Sequence, residues 1–151
     1  MTTEPEYKFD LAEPDEYAFI FDSWARSFQK SPWAGPIPNH LYPSVSRAAS
    51  TEIVDRGAKV LVAYVDLPGG GRRVMGYSVS EPEKCVLHWL FMKLDYRRKQ
   101  TGLDIAQRLL AETVKDWPTD RRWFYTYRTR ASASFLGSRF THDKKYACVK
   151  G

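Results

Sequence analysis

Apolar residues recur with two different periods along this chain, and the switches between them lay out its elements. Lys8 to Leu11 is a short candidate strand. Pro14-Asp-Glu then opens a helix, because proline is tolerated in a first turn and acids there complement the helix dipole. Tyr17, Ile20, Phe21, Trp24 and Phe28 recur at helical spacing and form one buried face. Ser31 to Asn39 carries three prolines and a glycine, so it cannot be regular helix. A second helix is expected over Tyr42 to Arg56, stopping at Gly57.

From Ala58 the period changes. Lys59 to Val65 is β-branched and apolar, a strand that Pro68-Gly-Gly-Gly71 turns back into Arg73 to Val79. Val86 to Leu94 is apolar on both faces and reads as a central strand. Leu103, Ala106, Leu110, Val114 and Trp117 mark the inner stripe of a helix that Pro118 ends. Trp123 to Tyr127 is a further strand, Ala131 to Phe140 a short helix, and Tyr146 to Val149 a last strand. The order β-α-α-β-β-β-α-β-α-β describes one mixed α/β sheet domain over residues 1–151.

Composition agrees with a packed domain. A hydrophobic share of 43%, with 15% aromatic residues, is enough for a substantial core. No apolar run approaches the roughly 18–20 residues that a bilayer requires. The opening Met-Thr-Thr-Glu-Pro-Glu-Tyr is polar and lacks a signal-peptide core. Cys85 and Cys148 stand far apart with no metal-ligand spacing. Together these features lead to the expectation of a cytoplasmic protein with reduced thiols and no metal.

The net charge of +5 leans towards anionic partners. Basic residues crowd into 97–99 and 121–130 instead of spreading along one face, which places a cofactor phosphate ahead of nucleic acid as their cause. In the second cluster Arg121, Arg122, Arg128 and Arg130 interleave with Trp123, Phe124, Tyr125 and Tyr127. Strand alternation there puts arginines outside and aromatics inside.

The chemistry concentrates where the central strand meets its following helix. Leu90-Phe-Met-Lys-Leu-Asp-Tyr-Arg-Arg-Lys-Gln-Thr-Gly102 joins an apolar strand, a basic turn and a glycine at a helix mouth. The first N–H groups of a helix lack intrahelical partners and, with the helix dipole, favour an anion. A pyrophosphate would be held by the N–H groups of Gln100, Thr101, Gly102 and Leu103, helped by Arg97, Arg98 and Lys99. The plain alternative is a solvated basic loop. His88, within the strand, reads as a satisfied core residue or as a neutral base near pH 7. Strand alternation would put it on one face with Val86, Leu90 and Met92. Trp33, His40 and Tyr42 line or follow the proline-rich segment, where they either close the core or meet a substrate. Neither cysteine has the partners of a nucleophile.

Element order and motifs together resemble the GNAT superfamily of acyl-CoA-dependent N-acetyltransferases. Arg97-Arg-Lys-Gln-Thr-Gly102 is similar to its cofactor turn, and Val74-Met-Gly-Tyr to its third strand with Gly76. Ala131 to Phe140 is similar to its C-terminal Ala-x-x-Phe-Tyr segment. The resemblance implies a mostly antiparallel central sheet flanked by helices. It also implies acetyl-CoA as co-substrate and direct attack by an acceptor amine, on a small molecule or a protein. Backbone groups of Met92 and Leu94 would hold the pantetheine arm, and family members often form homodimers. Three residues depart from the pattern. Gln100 replaces a glycine of the turn, Phe135 stands where many members have an acidic tyrosine, and Arg139 replaces a glycine. Ser132, Ser134 and Tyr127 are the hydroxyls left for that role, with Ser134 as the candidate beside His88. Trp24-x-x-Ser-Phe, Ser31-Pro, Ile37-Pro-Asn and Leu87-His-Trp-Leu-Phe-Met-Lys resemble short GNAT-like proteins of tailed bacteriophages, which implies a host cytoplasm. The departures leave a second reading open, a catalytically inactive virion-assembly or host-protein-binding module.

Overall fold

A computed structural model describes residues 7–29, 42–92, 100–126 and 140–142, with backbone alone at 27–29, 42–46, 49 and 100–104. Among the described residues six strands form one sheet: β1 (Lys8–Leu11), β2 (Lys59–Asp66), β3 (Arg72–Glu81), β4 (Val86–Met92), β5 (Trp123–Tyr125) and β6 (Phe140–His142). They lie side by side in chain order. β1 to β4 pair antiparallel, whereas β4 with β5 and β5 with β6 pair parallel. Three helices accompany the sheet: α1 (Tyr17–Gln29), α2 (Tyr42–Asp55) and α3 (Gln100–Val114). The architecture is the expected mixed α/β sheet flanked by helices. No described helix is long and apolar enough to cross a membrane.

The core has two faces. Ile20, Phe21 and Trp24 of α1 and Ile53 of α2 pack on Val60, Val62, Val74, Tyr77, Val79, Trp89 and Phe91. Ile105 and Leu109 of α3 cover Leu61, Ala63, Val65, Met75 and Met92 on the other side. A third cluster, Cys85, Leu87, Trp117, Trp123, Tyr125 and Phe140, closes the parallel end. The helical and strand periods of the sequence thus land on opposite sides of a single sheet, as burial of both stripes requires.

The ends of α2 follow local rules. Gly57, at φ +105°, donates to Val54 O, and Ala58 donates to Ile53 O, the paired bonds that close a helix through a left-handed residue. Pro14–Glu16 forms a 3₁₀ turn in front of α1, with the Glu13 N–H bonded to Glu16 Oε1.

One expectation is overturned at the parallel end. Phe140 opens strand β6; it does not close a helix. The rest of the expected 131–140 helix and the Tyr146–Val149 strand lie outside the described residues. β5 ends at Tyr125 rather than Tyr127, and Tyr127 is likewise outside.

Candidate functional site

Two strands that pair only briefly create the site. β4 and β5 are joined at Val86–Phe124 and Leu87–Tyr125, with the Thr126 N–H still donating to Leu87 O. Beyond that point β4 runs on to Met92 with no described strand on this side. Among the described residues no strand pairs with the edge of β4 from Leu90 to Met92 on this side, which leaves an opening there, and α3 begins at Gln100, eight positions further along the chain.

A β-bulge decides what faces that opening. Val79 pairs with Trp89 and Ser80 with Leu87, which leaves His88 as an extra residue on β4. Before the bulge, the carbonyls of Cys85 and Leu87 accept from β5. One inserted residue shifts the alternation, so Leu90 and Met92 present their backbone groups on that same side. Side chains agree with the shift. Leu87 and Leu90 pack in one cluster, while Trp89 and Phe91 join the α1–α2 face. The expectation that His88 shares a face with Leu90 and Met92 is corrected for this reason. His88 points instead to the side of Arg56 and Glu81.

There His88 is buried in a polar clasp. Its Nε2 lies 2.8 Å from Glu81 Oε1, and its Nδ1 lies 2.7 Å from Thr126 Oγ1. Arg56 Nε donates to the same Glu81 oxygen at 2.7 Å, and Lys84 Nζ lies 2.9 Å from Oε2. Burial works to raise the Glu81 pKa, but bonds from His88, Lys84 and Arg56 outweigh it and hold the carboxyl down at about 2. Burial likewise pushes His88 below the ordinary imidazole value, against the pull of Glu81.

The two partners assign the tautomer. An ionised Glu81 can only accept, so His88 carries its hydrogen on Nε2. A neutral ring then has a lone pair on Nδ1, and the Thr126 hydroxyl donates to it. Arg56 Nη2, 3.4 Å from Nε2, is itself a donor, so with the hydrogen on Nε2 this long contact is no hydrogen bond, and Arg56 Nε and His88 Nε2 share Glu81 Oε1 as acceptor. His142 in turn approaches the Thr126 carbonyl, with Nε2 3.1 Å from the oxygen. Nothing in the sequence pattern singles out Arg56, Glu81 or Thr126. A carboxylate between an apolar strand and Pro82 is the one available signal.

The strand end itself is tightly built. A Cβ on Gly76 would lie 2.4 Å from both Phe91 O and Met92 Sδ, so only glycine lets β3 pass β4 here. Cys85, buried at φ 55°, caps the Pro82–Lys84 turn and packs among apolar side chains. Within β5 Trp123 and Tyr125 are buried and Phe124 is half-buried, whereas Arg121 and Arg122 precede the strand and are both exposed, so their exposure is not a product of strand alternation. Among the described residues no group of three or more acidic, histidine or cysteine side chains is placed to hold a metal.

Many predicted site residues lie outside the described ones: Trp33, His40, Leu94, Arg97, Arg98, Lys99, Ser132, Ser134, Phe135, Arg139 and Cys148. Gln100, Thr101, Gly102 and Leu103 form the first turn of α3, and Tyr42 the first residue of α2, as backbone.

No protein-family model matches the chain, and no curated protein does. Among solved structures, an N-acetyltransferase from Staphylococcus aureus Mu50 is similar, at 16% identity and a TM-score of 0.42. The match covers 71% of this chain and 66% of that one, just under two thirds of the neighbour's length.

Proposed function

We propose that this domain binds acetyl-CoA and transfers its acetyl group to an amine by direct attack in a ternary complex. The observation that carries the reading is the edge of β4 from Leu90 to Met92, which no described strand covers on the β5 side, with a helix N-terminus following the same strand. An extended, amide-bearing arm can add to such an edge through backbone bonds, and a pyrophosphate suits such a helix end.

The residues fit the co-substrate as follows. Backbone groups of Leu90 and Met92, and of Leu94 by continuation, would take the pantetheine amides. The N–H groups of Gln100 to Leu103 would take the pyrophosphate, with Arg97, Arg98 and Lys99 supplying charge. When bound, acetyl-CoA supplies an activated thioester carbonyl. The chain's part is to hold that carbonyl against a strand-end N–H near Met92, where charge develops, and to orient the amine beside it. Both ring nitrogens of His88 are engaged and its side chain is buried. The amine's proton therefore passes to ordered water, and Ser134 is a candidate to orient the leaving thiolate. Trp33, His40 and Tyr42 are the candidates for the acceptor side.

Calorimetric titration of acetyl-CoA and CoA tests this, with an Arg97→Ala/Arg98→Ala variant alongside. Micromolar binding by the wild type, lost in the variant, is the expected result. A folded wild type that binds neither ligand would sink the reading. It would favour the second one, an inactive phage-type module that engages virion or host protein, to which Gln100, Phe135 and Arg139 already point.

A further inference from the structure

The bulge that turns the β4 amides outward is flanked by the pairs Val79–Trp89 and Ser80–Leu87, while its extra residue has no opposite number on β3. That residue is held by side-chain chemistry from three strands. Glu81 comes from the end of β3, His88 is the bulged residue of β4, and Thr126 follows β5 directly. Arg56, just after α2, closes the group from the helix layer.

We propose that Glu81, Thr126 and Arg56 are positioning residues for acetyl-CoA, acting through His88 to fix the β4 bulge. This rests on the acetyl-CoA reading of the site. The clasp spans β3, the bulged residue of β4 and the residue that follows β5. His88 fits in one orientation only: Nε2–H towards a carboxylate that accepts, Nδ1 towards a hydroxyl that donates. Turning the ring over would set carbon atoms against Glu81 and Thr126, and moving the hydrogen to Nδ1 would face the Nε2 lone pair to a carboxylate; either loses a buried hydrogen bond. The orientation of the ring fixes the backbone of residue 88, and the bulge at 88 sets which amides of β4 look into the gap. No member of the clasp touches the ligand in this scheme.

The groups that face His88 are named by the same geometry. Glu81 from β3 is ionised, Arg56 and Lys84 are cationic, and Thr126 and its carbonyl partner His142 close the β5–β6 side. An additional proton on His88 would place a cation among two others in a buried site, with one carboxylate to balance all three.

The test pairs ligand affinity with a spectroscopic readout of the ring. Thr126→Val keeps shape and removes the hydroxyl, Thr126→Ser restores it, and Glu81→Gln keeps an acceptor but removes the charge. Wild type should show a single neutral Nε2–H tautomer for His88 in nitrogen-15 spectra of the free protein. Thr126→Val should lose that signature and bind acetyl-CoA at least tenfold more weakly, as calorimetry reads it. Thr126→Ser should recover both. If Thr126→Val does not fold, Glu81→Gln takes its place, with a shifted His88 signature and weakened binding expected together. Wild-type binding that survives unchanged in folded Thr126→Val or Glu81→Gln overturns the positioning role alone. Absence of wild-type binding overturns the acetyl-CoA reading and this inference with it, while leaving the tautomer result intact.

Discussion

At the scale of single residues, two side chains and one missing side chain set the site's tolerance. Gly76→Ala forces a methyl group into Phe91 O and Met92 Sδ, where a backbone oxygen cannot retreat without moving β4. Overpacking of this kind costs about 1–3 kcal/mol or more, so the melting temperature should fall by several degrees. A variant that melts with the wild type would show that β3 and β4 separate more easily than the close approach implies. Acid should act through His88 and Glu81 in succession. His88 has a lowered pKa in the fold, so the unfolded chain binds its proton first, and stability falls as pH drops below 6.5. Glu81, lowered to about 2 from 4.5, adds a second loss as pH falls through that interval. Urea midpoints measured from above 6.5 to below 4.5 should decline throughout, and His88→Gln should flatten the upper part. A profile with no slope between 6.5 and 4.5 would contradict a neutral buried His88.

Elements are held in place partly by pairs that sequence periodicity cannot reveal. Among the described residues β1 pairs only with β2, and Arg72 ties it down from the start of β3. Arg72 donates to both carboxylate oxygens of Glu16, at 2.6 and 3.0 Å, and to Leu11 O at 2.9 Å, while its guanidinium lies over the Tyr64 ring. With both partners largely buried, Arg72→Leu should cost about 1.5–3 kcal/mol, because it removes the charge-assisted bonds to Glu16 and leaves that carboxylate with the Glu13 N–H. Amide exchange over Lys8 to Leu11 should accelerate more than elsewhere; unchanged protection of β1 would mean that the ladder with β2 suffices. The stripe of α1, the glycine stop of α2 and the β2–β3 hairpin are legible in the sequence because burial imposes one period on each. On α3 the stripe is offset: Ile105, Leu109 and Thr113 are buried, while the expected Ala106, Leu110 and Val114 are half-buried beside them. The bulge at His88 is not. β4 is apolar on both faces, so a one-residue slip leaves its pattern unchanged, and alternation then assigns His88 to the wrong face. Phe140 is misplaced for a related reason: a three-residue strand is too short to display a period.

Across the whole molecule the sheet divides into two unequal halves. β2 and β3 pair from Lys59–Ser80 to Asp66–Arg72, and β3 with β4 from Gly76–Met92 to Glu81–Val86, both between packed helices. β5 is held to β4 by Val86–Phe124, Leu87–Tyr125 and the Thr126 amide, and β6 to β5 over three residues. Parallel pairing over so short a length contributes little by itself, so this end relies on the Trp117, Trp123 and Phe140 aromatic group and on the His88 clasp. Native-state hydrogen exchange should therefore find an opening of β5 and β6 at a lower free energy than the opening of β2–β3. The amides of Phe124 and Thr126 report the first, and those of Tyr77 and Val79 report the second. Because the proposed ligand edge begins where β5 leaves β4, acetyl-CoA should raise protection at Phe124 and Thr126 more than at Tyr77. Equal exchange free energies in the two halves would show a single cooperative unit. The edge of β4 from Leu90 to Met92 would then have no share in the opening of β5.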